Sequence, residues 1–353
     1  GRRLVYFCLG IVAGVFALGL WRGMAFIEIL LTALSLAVAA IPEGLPAIVT
    51  VALALGVRRM VKRNALIRRL PSVETLGCAS VICTDKTGTL TQNEMTVRSI
   101  WVNGRFEDVS GVGYVPEGRF EREGIVLKPE DNAELMTALK IAVLCNNAEL
   151  RESAGMWQVI GDPTEGALLT VAGKAGLQKK VLESLHPFLG EIPFDSERKR
   201  MSVLRQSSGK RILFTKGAPD LVVNRSESIL INGKPGSLSP EQKNKVMQAN
   251  EKLAGQALRV LAVAYRDMDD GVAFDESSEN KLILVGLIAM MDPPRPEAKK
   301  AVELCEQAGI RTVMITGDHQ ETAMAVAREL GLMNENVSAI NGQDLDHMSD
   351  EEL

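Results

Sequence analysis

Residues 79–91 read Ala79-Ser80-Val81-Ile82-Cys83-Thr84-Asp85-Lys86-Thr87-Gly88-Thr89-Leu90-Thr91. The apolar opening, through Cys83, reads as a short buried strand. A carboxylate arrives where that strand ends, and the carboxyl ends of strands are where open α/β sheets gather their ligands. Gly88 permits close backbone approach, and Lys86, Thr87 and Thr89 crowd the same turn. An aspartate held in this way can act as a nucleophile toward a phosphoryl group. The plain alternative is a strand-to-loop turn carrying an ordinary aspartate. The length and contiguity of the pattern, directly after a strand, argue against it.

A second strand end carries related chemistry, because Val313-Met314-Ile315 runs into Thr316-Gly317-Asp318. More than two hundred residues separate Asp85 from Asp318, so a single sheet holding both needs a large insertion, expected over 94–291. The stiff Asp292-Pro293-Pro294-Arg295-Pro296 stretch can continue neither helix nor strand and suits a hinge that returns the chain. Further strand-like runs lie at Ser80–Cys83, Arg211–Thr215, Val260–Ala264, Leu282–Ile288 and Thr312–Ile315. Helix starts are marked by Asp162-Pro163-Thr164-Glu165 and Ser239-Pro240-Glu241-Gln242, each with an acceptor at the N-cap, proline at N1 and a capping-box residue at N3. Asp318-His319-Gln320-Glu321 opens a third helix that Gly331 can close, so Asp318 could also be a simple cap. The turn-rich stretch 101–125 reads as a surface hairpin region.

The 353 residues carry a net charge of −4 and only 4% aromatic side chains. No basic surface and no set of stacking platforms therefore points to nucleic acid. The five cysteines, Cys8, Cys78, Cys83, Cys145 and Cys305, show no C-x-x-C spacing, so neither a disulfide framework nor a zinc site is supported. Residues 4–21 contain no charge and are about long enough to span a bilayer. Residues 26–57 are apolar apart from Glu28 and Glu43. Two such runs in succession read as a membrane hairpin rather than a signal peptide. Arg2, Arg3, Arg58, Arg59, Lys62 and Arg63 lie outside the hairpin and only Arg22 in its loop, so both ends face the cytosol.

Glu43 lies mid-span, where a carboxylate is costly and is a functional candidate by default. Pro42 and Pro46 lack N–H groups, so the carbonyls four residues earlier lose their helical partners. Unwinding there would let carbonyls of Val38, Ala39 and Ile41 join Glu43 as hard oxygen ligands. That set suits calcium, whereas a heavy-metal site would want thiolates. Glu28, near the outer end of the span, suits an interfacial role.

The octet Thr84–Thr91 resembles the phosphorylation motif of the P-type ATPases, cation pumps that form an aspartyl-phosphate. Ala37–Pro46 and Arg69–Gly77 resemble the calcium-transporting branch, and the likeness covers essentially the whole chain. The resemblance implies an α/β multidomain protein with a transmembrane helical hairpin. Its phosphorylation domain would be of the haloacid-dehalogenase-like Rossmannoid type, carrying a large inserted α+β nucleotide-binding domain. The implied division is 1–63 for two membrane helices and stalk, 64–93 and 292–353 for the two parts of the phosphorylation domain, and 94–291 for the insertion. Asp85 would be the nucleophile. Lys86, Thr87, Thr89, Thr316, Gly317 and Asp318 would line the phosphoryl site, with magnesium on the Asp85 carboxylate and the Thr87 carbonyl.

No G-x-x-x-x-G-K-[ST] occurs, so ATP would be held by the insertion instead. Phe194 would stack on adenine, Lys216 and Arg259 would meet phosphate, and Asp162 would be an acidic adenine contact or only a helix cap. Read from residues alone, Phe194 could be core and Lys216 and Arg259 solvated surface. The resemblance further implies a multi-pass membrane protein with cytoplasmic soluble domains, its partners being ATP, calcium or a related cation, the lipid bilayer and the remainder of the pump. Neither the actuator domain with its Thr-Gly-Glu loop, nor the Gly-Asp-Gly-x-Asn-Asp segment, nor the later membrane helices is found in the sequence. The expectation is an interior piece of a pump that binds nucleotide, phosphorylates weakly or not at all, and cannot transport. Alternatives are a sodium or manganese pump, a membrane-tethered haloacid-dehalogenase-type phosphatase, and a remnant that only binds ATP. The phosphatases usually carry a second aspartate two residues after the nucleophile, where this chain has Thr87.

Overall fold

The first apolar run folds as a helix, α1 (Arg2–Trp21), in a computed structural model that describes residues 2–39, 44–269, 271–318, 320–333, 339–345 and 347–349. The chain divides into two units, residues 1–80 and 81–353. In the first, α1 is followed by α2 (Phe26–Ala39), α3 (Gly44–Val61) and α4 (Pro71–Gly77). The turn after α1 uses Gly23 at φ +75°, a left-handed conformation that favours glycine. A Cβ on Gly19 would lie 1.7 Å from Ile29 Cδ1, so the glycine lets α2 approach α1 closely. Ile29 and Ala33 are buried along that seam, and Phe16 meets Phe26 edge to face at 6.1 Å. Among the described residues no helix is long and apolar enough to cross a membrane. The second apolar run is divided between α2 and α3, and the intervening residues 40–43, with Ile41 and Glu43, lie outside the described residues.

The second unit contains β1 (Val81–Asp85), β2 (Thr96–Val102), β3 (Arg105–Val109), β4 (Phe120–Arg122), β5 (Ile125–Leu127), α5 (Ala133–Leu144), β6 (Glu149–Ser153), β7 (Met156–Ile160), α6 (Pro163–Lys174) and α7 (Lys179–Leu185). There follow β8 (Phe188–Asp195), β9 (Arg200–Ser207), β10 (Lys210–Gly217), α8 (Pro219–Asn224), β11 (Ser226–Ile231), β12 (Lys234–Ser237), α9 (Pro240–Ala254), β13 (Arg259–Met268), β14 (Leu282–Met291), α10 (Pro296–Gln307), β15 (Arg311–Ile315), α11 (Gln320–Glu329) and α12 (Gly342–Leu345). The strand-like runs at 211–215, 260–264, 282–288 and 312–315 each lie within a strand, whereas the run from Ser80 enters β1 only at Val81. The expected buried strand is not buried: Val81, Cys83 and Asp85 are exposed and Ile82 and Thr84 half-buried, because β15 is its one strand partner among the described residues.

Among the described residues β1 and β15 form a parallel pair. Leu90, Ala298 of α10, Val326 of α11 and Leu330 just after it pack as its small core. An eleven-stranded sheet takes the order β5-β4-β3-β2-β14-β13-β10-β9-β8, with β11 also on β14 and β12 on β11. Alternate residues of its central strands feed opposite faces, as the two-residue period of a strand requires. Val263, Val285 and Ile288 join Leu135, Leu139, Leu168 and Val171 of α5 and α6. Ala262, Leu284 and Leu287 join Val222, Val246 and Leu253 of α8 and α9. Each fully buried Leu or Ile contributes about 1.5–3 kcal/mol, so this three-layer packing is the main source of rigidity beneath the site. Gly286 sits where β13 and β14 shift register, and a Cβ there would be 2.3 Å from the Trp101 carbonyl oxygen.

Two further local expectations are corrected. The 101–125 stretch does form hairpins, turning at Asn103-Gly104 and Glu123-Gly124 with positive φ. It is not merely surface, however, because Trp101, Val102, Val109 and Phe120 are buried where β2 to β4 extend the large sheet. The capping box at Ser239 forms in full. At α6 only half of one does: Asp162 accepts from the Thr164 and Glu165 N–H groups at 2.8 and 3.2 Å, while the Glu165 carboxylate is drawn elsewhere.

Candidate active site

The parallel register aligns Asp85 with Ile315, so both strands release their chains at one edge. Thr316-Gly317-Asp318 follows β15 there and Lys86 follows β1. Lys86 is buried, 5% exposed, and its ammonium is ion-paired with the Asp318 carboxylate. Asp85 is exposed, and its Oδ1 accepts the Thr87 N–H at 3.3 Å. A carboxylate offers about four lone-pair positions, so most of its acceptor capacity faces outward. Gly88 then turns at φ +72°, which lets the chain double back: the Thr91 N–H reaches the Lys86 carbonyl at 3.0 Å. Thr89 and Gly317 are exposed beside this edge, and the Thr316 hydroxyl accepts the Asp318 N–H at 3.2 Å.

Two chain segments run antiparallel between the small and large sheets, bridged at Thr91 and Pro294. The Thr91 hydroxyl donates to Asp292 Oδ2 at 2.5 Å and the Glu94 N–H to Asp292 Oδ1 at 3.2 Å. Arg295 donates to the carbonyls of Thr91 and Gly88, each at 3.0 Å, and so grips the turn that follows Asp85. Burial raises the Glu94 carboxyl above its ordinary range, with Arg295 opposing and Asp292 adding to the shift.

On the large sheet, register gathers the nucleotide candidates at one end. Asp195 pairs with Arg200, Arg200 with Gly217, and Gly217 with Ala262. The end of β8, the start of β9, the end of β10 and the start of β13 therefore lie together. Phe194 is 63% exposed there. Lys216 is buried and forms a 2.6 Å ion pair with Glu165, while Arg259 donates to the Thr164 hydroxyl at 3.0 Å. Asp162, Thr164 and Glu165 all open α6, so Asp162, Lys216 and Arg259 converge on one helix start. Glu165 also accepts the Asn147 N–H at 3.1 Å. Sequence reasoning had Glu165 only as a capping residue; no local signal reveals its lysine partner fifty residues on. Cys145 lies beside Lys216, donating to the Met201 carbonyl at 3.7 Å. Burial pushes its thiol up to about 12, so it is a neutral wall of the site.

Among the described residues no group of three or more His, Cys, Asp and Glu side chains could hold a metal ion. The exposed Asp85 carboxylate with a neighbouring backbone carbonyl fits magnesium, which takes one or two protein oxygens and keeps several waters. Of the membrane-site candidates, Val38 and Ala39 are exposed at the end of α2. Ile41 and Glu43 lie outside the described residues.

Residues 134–297 match the family model described as "P-type ATPase, cytoplasmic domain N". The whole chain aligns at 46% identity with a calcium-transporting ATPase of Bacillus subtilis. This chain belongs to the P-type ATPase family. All of it also aligns, at 44% identity, with the cation-transporting ATPase pma1 of a Synechocystis species. A calcium-transporting ATPase of Listeria monocytogenes is 42% identical over 93% of the chain. The chain spans about 40% of the length of the relatives it matches. In this P-type ATPase chain the matched residues run from α5 into α10 and include Asp162, Phe194, Lys216 and Arg259. Asp85 and its neighbours lie before them, on the small sheet.

Proposed function

We propose that this chain is the nucleotide-binding and phosphorylation core of an ATP-driven cation pump. The observation that carries the reading is the β1–β15 register, which brings an exposed Asp85 to the same edge as the Lys86–Asp318 pair. A carboxylate oxygen of Asp85 attacks the γ-phosphorus of ATP while the bond from that phosphorus to the β–γ bridging oxygen breaks. ADP leaves with the electron pair and an aspartyl-phosphate remains. Lys86 and Thr89 steady the phosphoryl oxygens, and Thr316, Gly317 and Asp318 line the opposite strand end. Magnesium, on the Asp85 carboxylate and the Thr87 carbonyl, would supply positive charge to the phosphate oxygens. Phe194 stacks on adenine, Asp162 approaches it, and Lys216 and Arg259 meet phosphate.

The proposed division is 64–93 with 292–353 for phosphorylation and 94–291 for nucleotide binding. Residues 1–63 form a membrane hairpin with both ends cytosolic, in a multi-pass protein whose remaining domains are cytoplasmic. In support, the first unit exposes Tyr6 at 72%, Phe7 at 67%, Leu31 at 59% and Ile48 at 69%, apolar area that water disfavours by roughly 25 cal/mol per Å². The transported ion, calcium by preference over sodium or manganese, binds Glu43 and the carbonyls of Val38, Ala39 and Ile41. Thr87, in place of a general-acid aspartate, sets the chain apart from a simple phosphatase. Incubation with γ-labelled ATP and magnesium tests the reading. An acid-stable, hydroxylamine-sensitive label that is absent from Asp85→Asn is expected; an equal label in that variant rejects it.

A further inference from the structure

The turn that carries Phe194 is anchored by a carboxylate from eighty residues away. Glu279, just before β14, is fully buried at 0% exposure. Its Oε2 accepts from Arg200 Nε at 2.6 Å and from Arg198 Nη1 at 2.7 Å. Its Oε1 accepts from the Ser202 hydroxyl at 2.8 Å, and Ser202 lies 2.8 Å from the Thr215 hydroxyl. Arg198 then continues the chain of contacts, for its Nη2 donates to the Pro193 carbonyl at 2.6 Å. Within the turn, Asp195 Oδ1 accepts the N–H groups of Glu197 and Arg198 at 2.9 Å each. The Lys199 carbonyl accepts the Ala218 N–H at 2.9 Å, which ties the turn to β10 just beyond Lys216. Arg198 also meets the exposed Glu276 at 3.6 Å.

Two guanidinium groups on one buried carboxylate form a costly arrangement that holds only while every partner is present. The proposed phosphoryl transfer uses none of these three side chains. The Phe194 ring, 63% exposed, has little packing of its own, so its direction is set by the backbone on either side. That backbone is what Arg198 holds at Pro193. We infer that Glu279 is a positioning residue for the nucleotide site: through Arg198 and Arg200 it fixes the 193–200 turn and aims Phe194 at the base. The inference rests on the reading of Phe194 as the adenine platform.

The test uses the full chain and compares ATP with inorganic tripolyphosphate, which carries the charge but no base. Both are titrated against a fluorescent nucleotide in wild type, Glu279→Gln, Phe194→Ala and the double variant. Glu279→Gln should weaken ATP about tenfold, the scale of one lost stacking contact, and leave tripolyphosphate unchanged. In the Phe194→Ala background the same change should cost ATP nothing further. Equal weakening of both ligands, additive losses in the double variant, or unaltered ATP binding overturns the inference. If Phe194→Ala itself leaves ATP binding intact, the platform reading falls and the inference with it. Should Glu279→Gln fail to fold, Arg198→Met, which removes the Pro193 contact from a partly exposed position, carries the same expectations and the same refutations.

Discussion

Glu165→Ala probes the ion pair beneath the nucleotide candidates. The Lys216 side chain is 7% exposed, that of Glu165 13%, and their charged atoms are 2.6 Å apart. A buried ammonium left without its carboxylate costs about 3–5 kcal/mol, against about 0–1 kcal/mol for an exposed pair. The second Glu165 contact, to the exposed Asn147 N–H, is one that water replaces at small cost. The large sheet should therefore lose about 3–5 kcal/mol, a fall in unfolding midpoint of roughly 6–20 °C for a body of this size. Fluorescence of Trp101, 5% exposed within that sheet, reports the transition in detergent solution. Glu165→Gln with Lys216→Met removes the buried charge altogether and should recover most of the loss, because apolar packing often replaces a buried pair. A loss under about 1 kcal/mol, or a double variant no better than the worse single one, would refute the reasoning.

Gly217→Ala would bring a Cβ within 2.4 Å of Arg200 Cβ and 2.6 Å of the Lys199 carbonyl. It should cost about 1–3 kcal/mol and weaken ATP binding together, as thermal denaturation and nucleotide titration would show. Asp292→Ala leaves the Glu94 N–H without its acceptor, at about 1–3 kcal/mol, and turns the Thr91 hydroxyl from Asp292 to its other acceptor, the Lys86 carbonyl at 3.1 Å. It should lower the phosphoenzyme level measured with γ-labelled ATP. Burial, aided by Arg98, lowers Lys174 from 10.5 to about 8. Between those values the unfolded chain binds more protons than the folded one, so this lysine makes stability rise with pH across that window. In denaturation midpoints, wild type should gain on Lys174→Met as the pH climbs from about 8 to about 10.

The strand ends were legible because chemistry and pattern coincide there: Val81–Cys83 and Val313–Ile315 are apolar runs that stop at polar turns. The Ser239 cap was legible because all its partners lie within four residues. Glu165 was misread for the opposite reason. Its spacing satisfies a capping box, yet the carboxylate prefers Lys216, whose proximity depends on where β10 falls in the sheet. Lys216 itself reads as a surface lysine until the register buries it. The 101–125 hairpins looked superficial because their turns are polar; that Trp101 and Phe120 are core follows only from strands added beyond β14. Glu279 carries no local signal at all, since Ser277-Ser278-Glu279-Asn280 reads as a solvated turn.

The central claim is that Asp85 accepts the phosphoryl group, and chemical trapping of the phosphorylated chain tests it most directly. Borohydride reduces an aspartyl-phosphate to homoserine, which peptide mass spectrometry locates. The account predicts homoserine at position 85 after reaction with ATP and magnesium, and none when ATP is omitted. Homoserine at another carboxylate, or phosphate on a hydroxyl with Asp85 unmodified, would contradict it.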